Sequence, residues 1–159
     1  MTTTIHGTAV LAGARAVLIR GPSGSGKSRL ALDLIEAARY GAVSFARLVG
    51  DDRLELEAAG GRLLVRPAAA LAGLIELRGV GIVAMAYEAV AVIGLVIDLG
   101  ALDAERLPPA DRRLTTIDGV VLPRLAVAED GDALPSVLAI INSGGIRSGN
   151  SKWLDAPGS

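Results

Sequence analysis

The octapeptide Gly21-Pro22-Ser23-Gly24-Ser25-Gly26-Lys27-Ser28 leaves this chain few architectures. It stands between the apolar run Ala16–Ile19 and the amphipathic stretch Arg29–Tyr40. Gly21, Gly24 and Gly26 let the backbone turn its amides inward on a polyphosphate, Lys27 reaches the β/γ oxygens, and the Ser28 hydroxyl is a ligand for Mg²⁺. A helix starting at this point adds its N-terminal dipole. A glycine-rich turn with a chance lysine would not need the whole G-x-x-x-x-G-K-[ST] pattern. Binding of a nucleoside triphosphate by Gly21, Pro22, Ser23, Gly24, Ser25, Gly26, Lys27 and Ser28 is therefore expected.

A chain of 159 residues, 51% of them apolar, is long enough to build one core. Its 16 basic and 17 acidic residues leave a formal charge of −1, which supplies no basic field for a nucleic-acid backbone. No nucleic-acid partner is expected. The chain has no cysteine, hence neither a disulfide framework nor a thiolate metal site, and no basic-led apolar leader opens it. A cytoplasmic setting follows as the expectation. The most apolar stretch, Val80–Leu99, is interrupted by Glu88, and its run Ala89–Ile97 is about half of the ~20 residues that cross a bilayer. No membrane span is expected there, and a buried strand is.

Leu30, Leu34 and Ala38 recur at helical spacing after the loop, with Ala31 and Ile35 beside them. The segment Ser44–Asp52 runs apolar and ends in two carboxylates. In Arg53–Pro67, Leu54 and Leu56 alternate with Glu55 and Glu57 before Gly60-Gly61, which predicts a hairpin. Ile75–Met85, Ala89–Gly100 and Gly119–Val127 read as further strands, and Asp132–Ile141 as a short helix. The expected fold class is α/β with a mixed sheet, richer in strands than a regular βαβ alternation. A single domain over 1–141 is expected, followed by a flexible Gly/Ser-rich tail over 142–159.

Asp51 and Asp52 fall where an apolar run ends. In open α/β sheets that end of a strand faces the ligand crevice, where two acids can serve a metal and take a proton from an attacking hydroxyl. A solvated Asp-Asp turn fits the same residues. Glu76 and Arg78 are embedded in apolar sequence between Gly73 and Gly79, and charges in that context need partners. They read either as a structural ion pair or, for Glu76, as a second metal ligand.

These features together resemble the catalytic domain of HPr kinase/phosphorylase. Ile5-His6-Gly7 is similar to the family's strand with a histidine upstream of the phosphate loop. Leu48-Val49-Gly50-Asp51-Asp52 resembles its Leu-Val-Ala-Asp-Asp, and Glu76-Leu77-Arg78-Gly79-Val80-Gly81-Ile82 its Glu-Ile-Arg-Gly-Leu-Gly-Ile. Asp111-Arg112-Arg113-Leu114 resembles its Asp-Arg-Leu-Gly, and Val120–Val127 the strand before its closing helix. The resemblance covers residues 5 to 141.

What the resemblance implies is an ATP- and Mg²⁺-dependent serine kinase acting on an HPr-type phosphocarrier of a phosphotransferase system. Lys27 would bind the transferring phosphate, Ser28 and Glu76 would hold Mg²⁺, Asp52 would accept the serine's proton, and Asp51 would support it. His6 matches the active-site histidine, although a lone histidine near a terminus is by default solvated. Arg113 matches the arginine that stabilises phosphoryl charge, with Arg112 as the alternative register. The resemblance also implies a hexamer, a fold akin to the phosphoenolpyruvate carboxykinase core, and the short proteobacterial form without the separate N-terminal domain.

The family's Pro-Val-Arg-Pro-Gly-Arg-Asn segment, linked to dephosphorylation, stands here as the stretch Leu125–Pro135, with neither arginine. Joining phosphate to phosphoserine brings two anions together and needs cations. The phosphorylase direction is therefore expected to be weak or absent. Two other functions stay open: a small-metabolite kinase, and a nucleotide-sensing module that binds ATP without transferring phosphate.

Overall fold

The computed structural model describes residues 2–144. β1 (Thr2–His6) and β2 (Thr8–Ala12) form one extended run interrupted at Gly7, and β3 (Arg15–Arg20) returns beside β2. The phosphate loop leads into α1 (Lys27–Arg39). β4 (Ala46–Gly50) and β5 (Arg53–Ala59) are again one run, broken at Asp51 and Asp52, and β6 (Arg62–Pro67) pairs back on β5. A hairpin of β7 (Leu74–Leu77) and β8 (Gly81–Ala84) follows. The described chain closes with β9 (Ala91–Leu99), β10 (Leu114–Ile117), β11 (Val120–Val127) and α2 (Ala133–Asn142).

Nine strands make one sheet in the order β1-β5-β6-β9-β3-β2-β4, with β11 added on β9 and β10 on β11. β3, β9 and β11 run parallel, and β3 and β4 share a direction because both are antiparallel to β2. The phosphate loop after β3, the two aspartates after β4 and Asp98 near the end of β9 therefore emerge at the same edge. This is the expected mixed α/β fold, rich in sheet and with two helices among the described residues.

Both faces of the central strands are buried, which is why they read as unbroken apolar runs rather than as alternation. Val10, Val17, Ile19, Leu48, Leu95 and Ile97 face α1 and α2, meeting Leu30, Ala31 and Leu34 of one helix and Val137 and Ile140 of the other. On the opposite face Ala9, Leu18, Val49 and Val96 join Leu54 and Leu56 of β5, Leu63 and Val65 of β6, and Val120 and Leu122 of β11. The sheet thus folds over itself to cover the face that carries no helix. Its bends lie at Gly7 and at Asp51–Asp52, and the Gly7 amide donates to the Asp52 carbonyl across 3.2 Å.

The β5–β6 hairpin turns at Gly60-Gly61 as expected, with both residues left-handed. Ile75–Met85 differs from the single strand expected. It folds back on itself at Arg78–Val80, where the Val80 amide donates to the Leu77 carbonyl. Of the stretch Val80–Leu99 only Ala91–Leu99 is a buried strand, and Val80 and Ile82 lie exposed on the small hairpin. α2 forms where predicted, capped by Asp132, whose carboxylate accepts from the Leu134 amide. The helix includes Asn142, with which the expected tail begins; residues 145–159 of that tail lie outside the described residues. No helix among the described residues is long and apolar enough to cross a membrane.

Candidate active site

The loop Gly21–Gly26 joins the end of β3 to the start of α1 under tight steric limits. A Cβ on Gly21 would lie 2.7 Å from Ser25 Oγ and 2.8 Å from the Leu99 carbonyl oxygen, so this position admits only glycine without a shift of backbone. Gly26 precedes α1 in a left-handed conformation and no side chain caps the helix. The amides of its first turn are thus left for an anion. Lys27 Nζ donates to the carbonyls of Gly21 and Pro22 at 3.0 and 3.1 Å, which folds the ammonium over the loop. Ser25 Oγ is buried and has no partner among the described residues.

The paired aspartates diverge. Asp51 is buried, 5% exposed, and its Oδ1 accepts from Thr8 Oγ1 at 2.7 Å and from Ser28 Oγ at 2.8 Å. Its Oδ2 accepts from the backbone amide of Glu76 at 3.0 Å. One carboxylate thereby ties the start of β2, the helix after the phosphate loop and the β7–β8 hairpin together. Asp52 adopts φ 69°, and its side chain is 67% exposed. His6 stands beside it, with Nδ1 3.8 Å from Asp52 Oδ1.

Glu76 and Arg78 both have exposed side chains and form no ion pair with each other. Arg78 instead lies against the phosphate loop. A Cβ on Gly24 would come within 3.3 Å of its Nη2, and Gly24 itself has φ 80°. Arg113 is buried at the end of the single turn Ala110–Arg113, and its Nε donates to the Pro108 carbonyl at 2.9 Å. Arg112 is exposed, with Nη1 3.6 Å from Glu105 Oε1.

Ser28 and Asp51 offer hard oxygens at the loop's mouth, the donor chemistry of Mg²⁺. Among the described residues no three acids or histidines cluster into a cage for a metal. The glycine cradle, the uncapped helix start and the unpartnered Ser25 hydroxyl fit a polyphosphate.

Three features escape a sequence reading. Thr8 has no motif around it; Arg78 is visible as one half of a supposed pair and within the Glu76–Ile82 motif, but not as a neighbour of Gly24. The third is a chain of charges, Arg20 at the end of β3, Asp98 near the end of β9, Arg124 within β11 and Asp103 in the loop after β9.

Residues 1–126 match the family described as HPr Serine kinase C-terminal domain. The HPr kinase/phosphorylase of Geobacillus thermodenitrificans is 37% identical over 138 residues, spanning 79% of this chain and 42% of the relative. That of Streptococcus thermophilus is 43% identical over 82 residues, 51% of this chain and 24% of the relative. The chain thus spans less than half the length of these curated relatives. The HPr(Ser) kinase/phosphatase structure from Coxiella burnetii superposes with a TM-score of 0.73 at 22% identity, covering 91% of this chain and 97% of that one, a likeness of fold. Loop, aspartate pair, hairpin and the match over residues 1–126 together make this chain a member of the HPr serine kinase C-terminal domain family.

Proposed function

We propose that the protein is an ATP- and Mg²⁺-dependent protein serine kinase, cytoplasmic and acting on an HPr-type phosphocarrier of a phosphotransferase system. One observation carries this reading beyond nucleotide binding: the adjacent acids point apart, Asp51 buried on Ser28 and Asp52 turned out beside His6.

The loop amides and Lys27 bind the β- and γ-phosphates of ATP. Ser28 and Glu76 would hold Mg²⁺, with the Asp51 carboxylate aiming the Ser28 hydroxyl, and the ion would supply neutralisation of phosphate charge. Asp52 accepts the proton of the carrier's serine as its oxygen bonds to the γ-phosphorus and the bond to ADP breaks. His6, with Nδ1 3.8 Å from Asp52 Oδ1, is the active-site histidine of this reading. Lys27, Arg78 and Arg113, with Arg112 in the other register, balance charge on the transferring group. The stretch Leu125–Pro135 carries Glu129, Asp130 and Asp132 and no arginine, which supports a weak or absent reverse reaction.

The test is the intact mass of an HPr-type carrier incubated with the protein, ATP and Mg²⁺. One added phosphoryl group on a serine is expected, and it should vanish in Asp52→Asn and Lys27→Ala. ATP binding without transfer to any acceptor would replace this reading with the nucleotide-sensing module.

A further inference from the structure

We propose that Arg124 is a positioning residue: through Asp98 and Asp103 it holds the arginine-bearing segment 103–113 in register with the phosphate loop. The inference rests on the kinase reading only for the role given to Arg113 or Arg112; the placement is geometric.

Arg124 uses its whole guanidinium fork. Nε donates to Asp98 Oδ2 at 2.6 Å, while Nη1 and Nη2 donate to the two oxygens of Asp103 at 2.8 and 2.9 Å. Nη1 also donates to the Arg112 carbonyl at 3.2 Å. One side chain therefore grips the segment near both its ends. On its other side Asp98 accepts two bonds from Arg20, at 2.7 and 2.9 Å, and Arg20 is the residue before Gly21. The Asp98 strand reaches the loop directly as well, since the Leu99 carbonyl lies against Gly21 and Gly100 against Pro22.

Arg113 is buried and anchors the end of the segment, its Nε donating to the Pro108 carbonyl. From Ala101 to Arg112 no apolar side chain is buried, and Leu102 and Leu107 are exposed. Without hydrophobic burial, this longer part depends on backbone bonds such as Ala101 to Val127 and on the Arg124 network. Arg124 and Asp98 are 13% and 18% exposed, so their contacts are screened far less than those of surface pairs. Lysine cannot replace the fork, because a point charge serves one carboxylate at a time.

The experiment compares the full chain with Arg124→Gln, Arg124→Lys and Asp103→Asn by hydrogen exchange and by carrier phosphorylation. Amides in 101–113 should exchange at least tenfold faster in Arg124→Gln, while those of β3 and α1 keep their protection. The kcat should fall by about tenfold to a hundredfold with the KM for ATP within about threefold, because misplacement costs rate rather than nucleotide affinity. Arg124→Lys should recover little of this, and Asp103→Asn should show the same pattern more weakly. A structural role alone would lower Tm and raise exchange everywhere without splitting kcat from KM. Exchange in 101–113 that stays slow, or a kcat that holds while exchange rises, overturns the proposal. If Arg124→Gln unfolds, Asp103→Asn carries the same two readouts.

Failure of the kinase reading is seen separately, as a wild-type protein that phosphorylates no carrier. The coupling is then read by adding ATP and Mg²⁺ to the wild type, which should slow exchange in both α1 and 101–113. In Arg124→Gln only α1 should respond. An identical response in both proteins overturns the proposal.

Discussion

Ser28 Oγ donates to Asp51 Oδ1 across 2.8 Å, so the hydroxyl at the mouth of the phosphate loop is aimed by a carboxylate from another strand. That carboxylate is aimed in turn by Thr8, fully buried, whose Oγ1 donates to the same oxygen at 2.7 Å. Removing the Thr8 hydroxyl leaves the buried Asp51 one donor short. Thr8→Val preserves the side-chain shape and should cost about 1–3 kcal/mol of stability. Urea unfolding of Thr8→Val and Thr8→Ser checks this: the midpoint should fall in the first and largely recover in the second. Equal midpoints for wild type and Thr8→Val would separate Asp51 from Thr8.

Asp52 sits at φ 69°, a conformation an L-residue holds at a cost of about 1–2 kcal/mol. Glycine carries no such penalty. Asp52→Gly should therefore raise stability by up to about 1 kcal/mol while lowering phosphoryl transfer by about 10²–10⁴-fold, the usual reach of a general base. Asp52→Asn should lose transfer equally with stability little changed, because the side chain is 67% exposed. Thermal melts and carrier phosphorylation separate the two effects. A stable, fully active Asp52→Gly would remove the base from Asp52.

The local features of the site were legible in the sequence. Gly21–Ser28 writes its own turn chemistry, Leu30 and Leu34 repeat at helical spacing, and Gly60-Gly61 marks its hairpin, each within a few residues. The separate roles expected of Asp51 and Asp52 came from the family resemblance and not from the two residues themselves, since one left-handed residue decides which acid turns inward. Thr8 was invisible because its partner lies 43 residues on. Arg124 reads as one charge in an apolar strand, and its meaning comes from Asp98, brought beside it by parallel pairing of β9 and β11, and from Asp103 in the loop that follows β9. The small β7–β8 hairpin was missed because Val80 and Ile82 read as core residues and are exposed.

The charge network sets an acid limb of stability. Burial pushes the Asp98 carboxyl up, but bonds from Arg20 and Arg124 outweigh it and hold the group below its ordinary 3.8. Asp103 is lowered chiefly by its bond from Arg124, and Arg124 itself is raised chiefly by its bond to Asp103. Carboxyls depressed on folding contribute stability that is full above their unfolded pKa and is lost as pH falls through the folded value. The Tm deficit of Arg124→Gln against wild type should thus be largest near neutrality and shrink below about pH 4. Melts across that range at low salt check it. A deficit independent of pH would take the two carboxylates out of the account.

Gly24 and Arg78 meet at the open side of the phosphate loop, and substitution at either should weaken nucleotide binding. Gly24→Ala places a methyl at φ 80°, which costs about 1–2 kcal/mol of backbone strain, and brings Cβ within 3.3 Å of Arg78 Nη2. Arg78→Ala removes the guanidinium and leaves the loop's shape alone. Each should raise the Kd for a fluorescent ATP analogue by about tenfold, about 1.4 kcal/mol. If Gly24→Ala acts by displacing Arg78, the double variant loses no more than Gly24→Ala alone; if it acts by straining the loop, the two losses add. The contact favours the first outcome, because the end of an exposed arginine moves more easily than the loop's backbone. Additive losses would assign the damage to the cradle itself and leave Arg78 an independent contact to the phosphates.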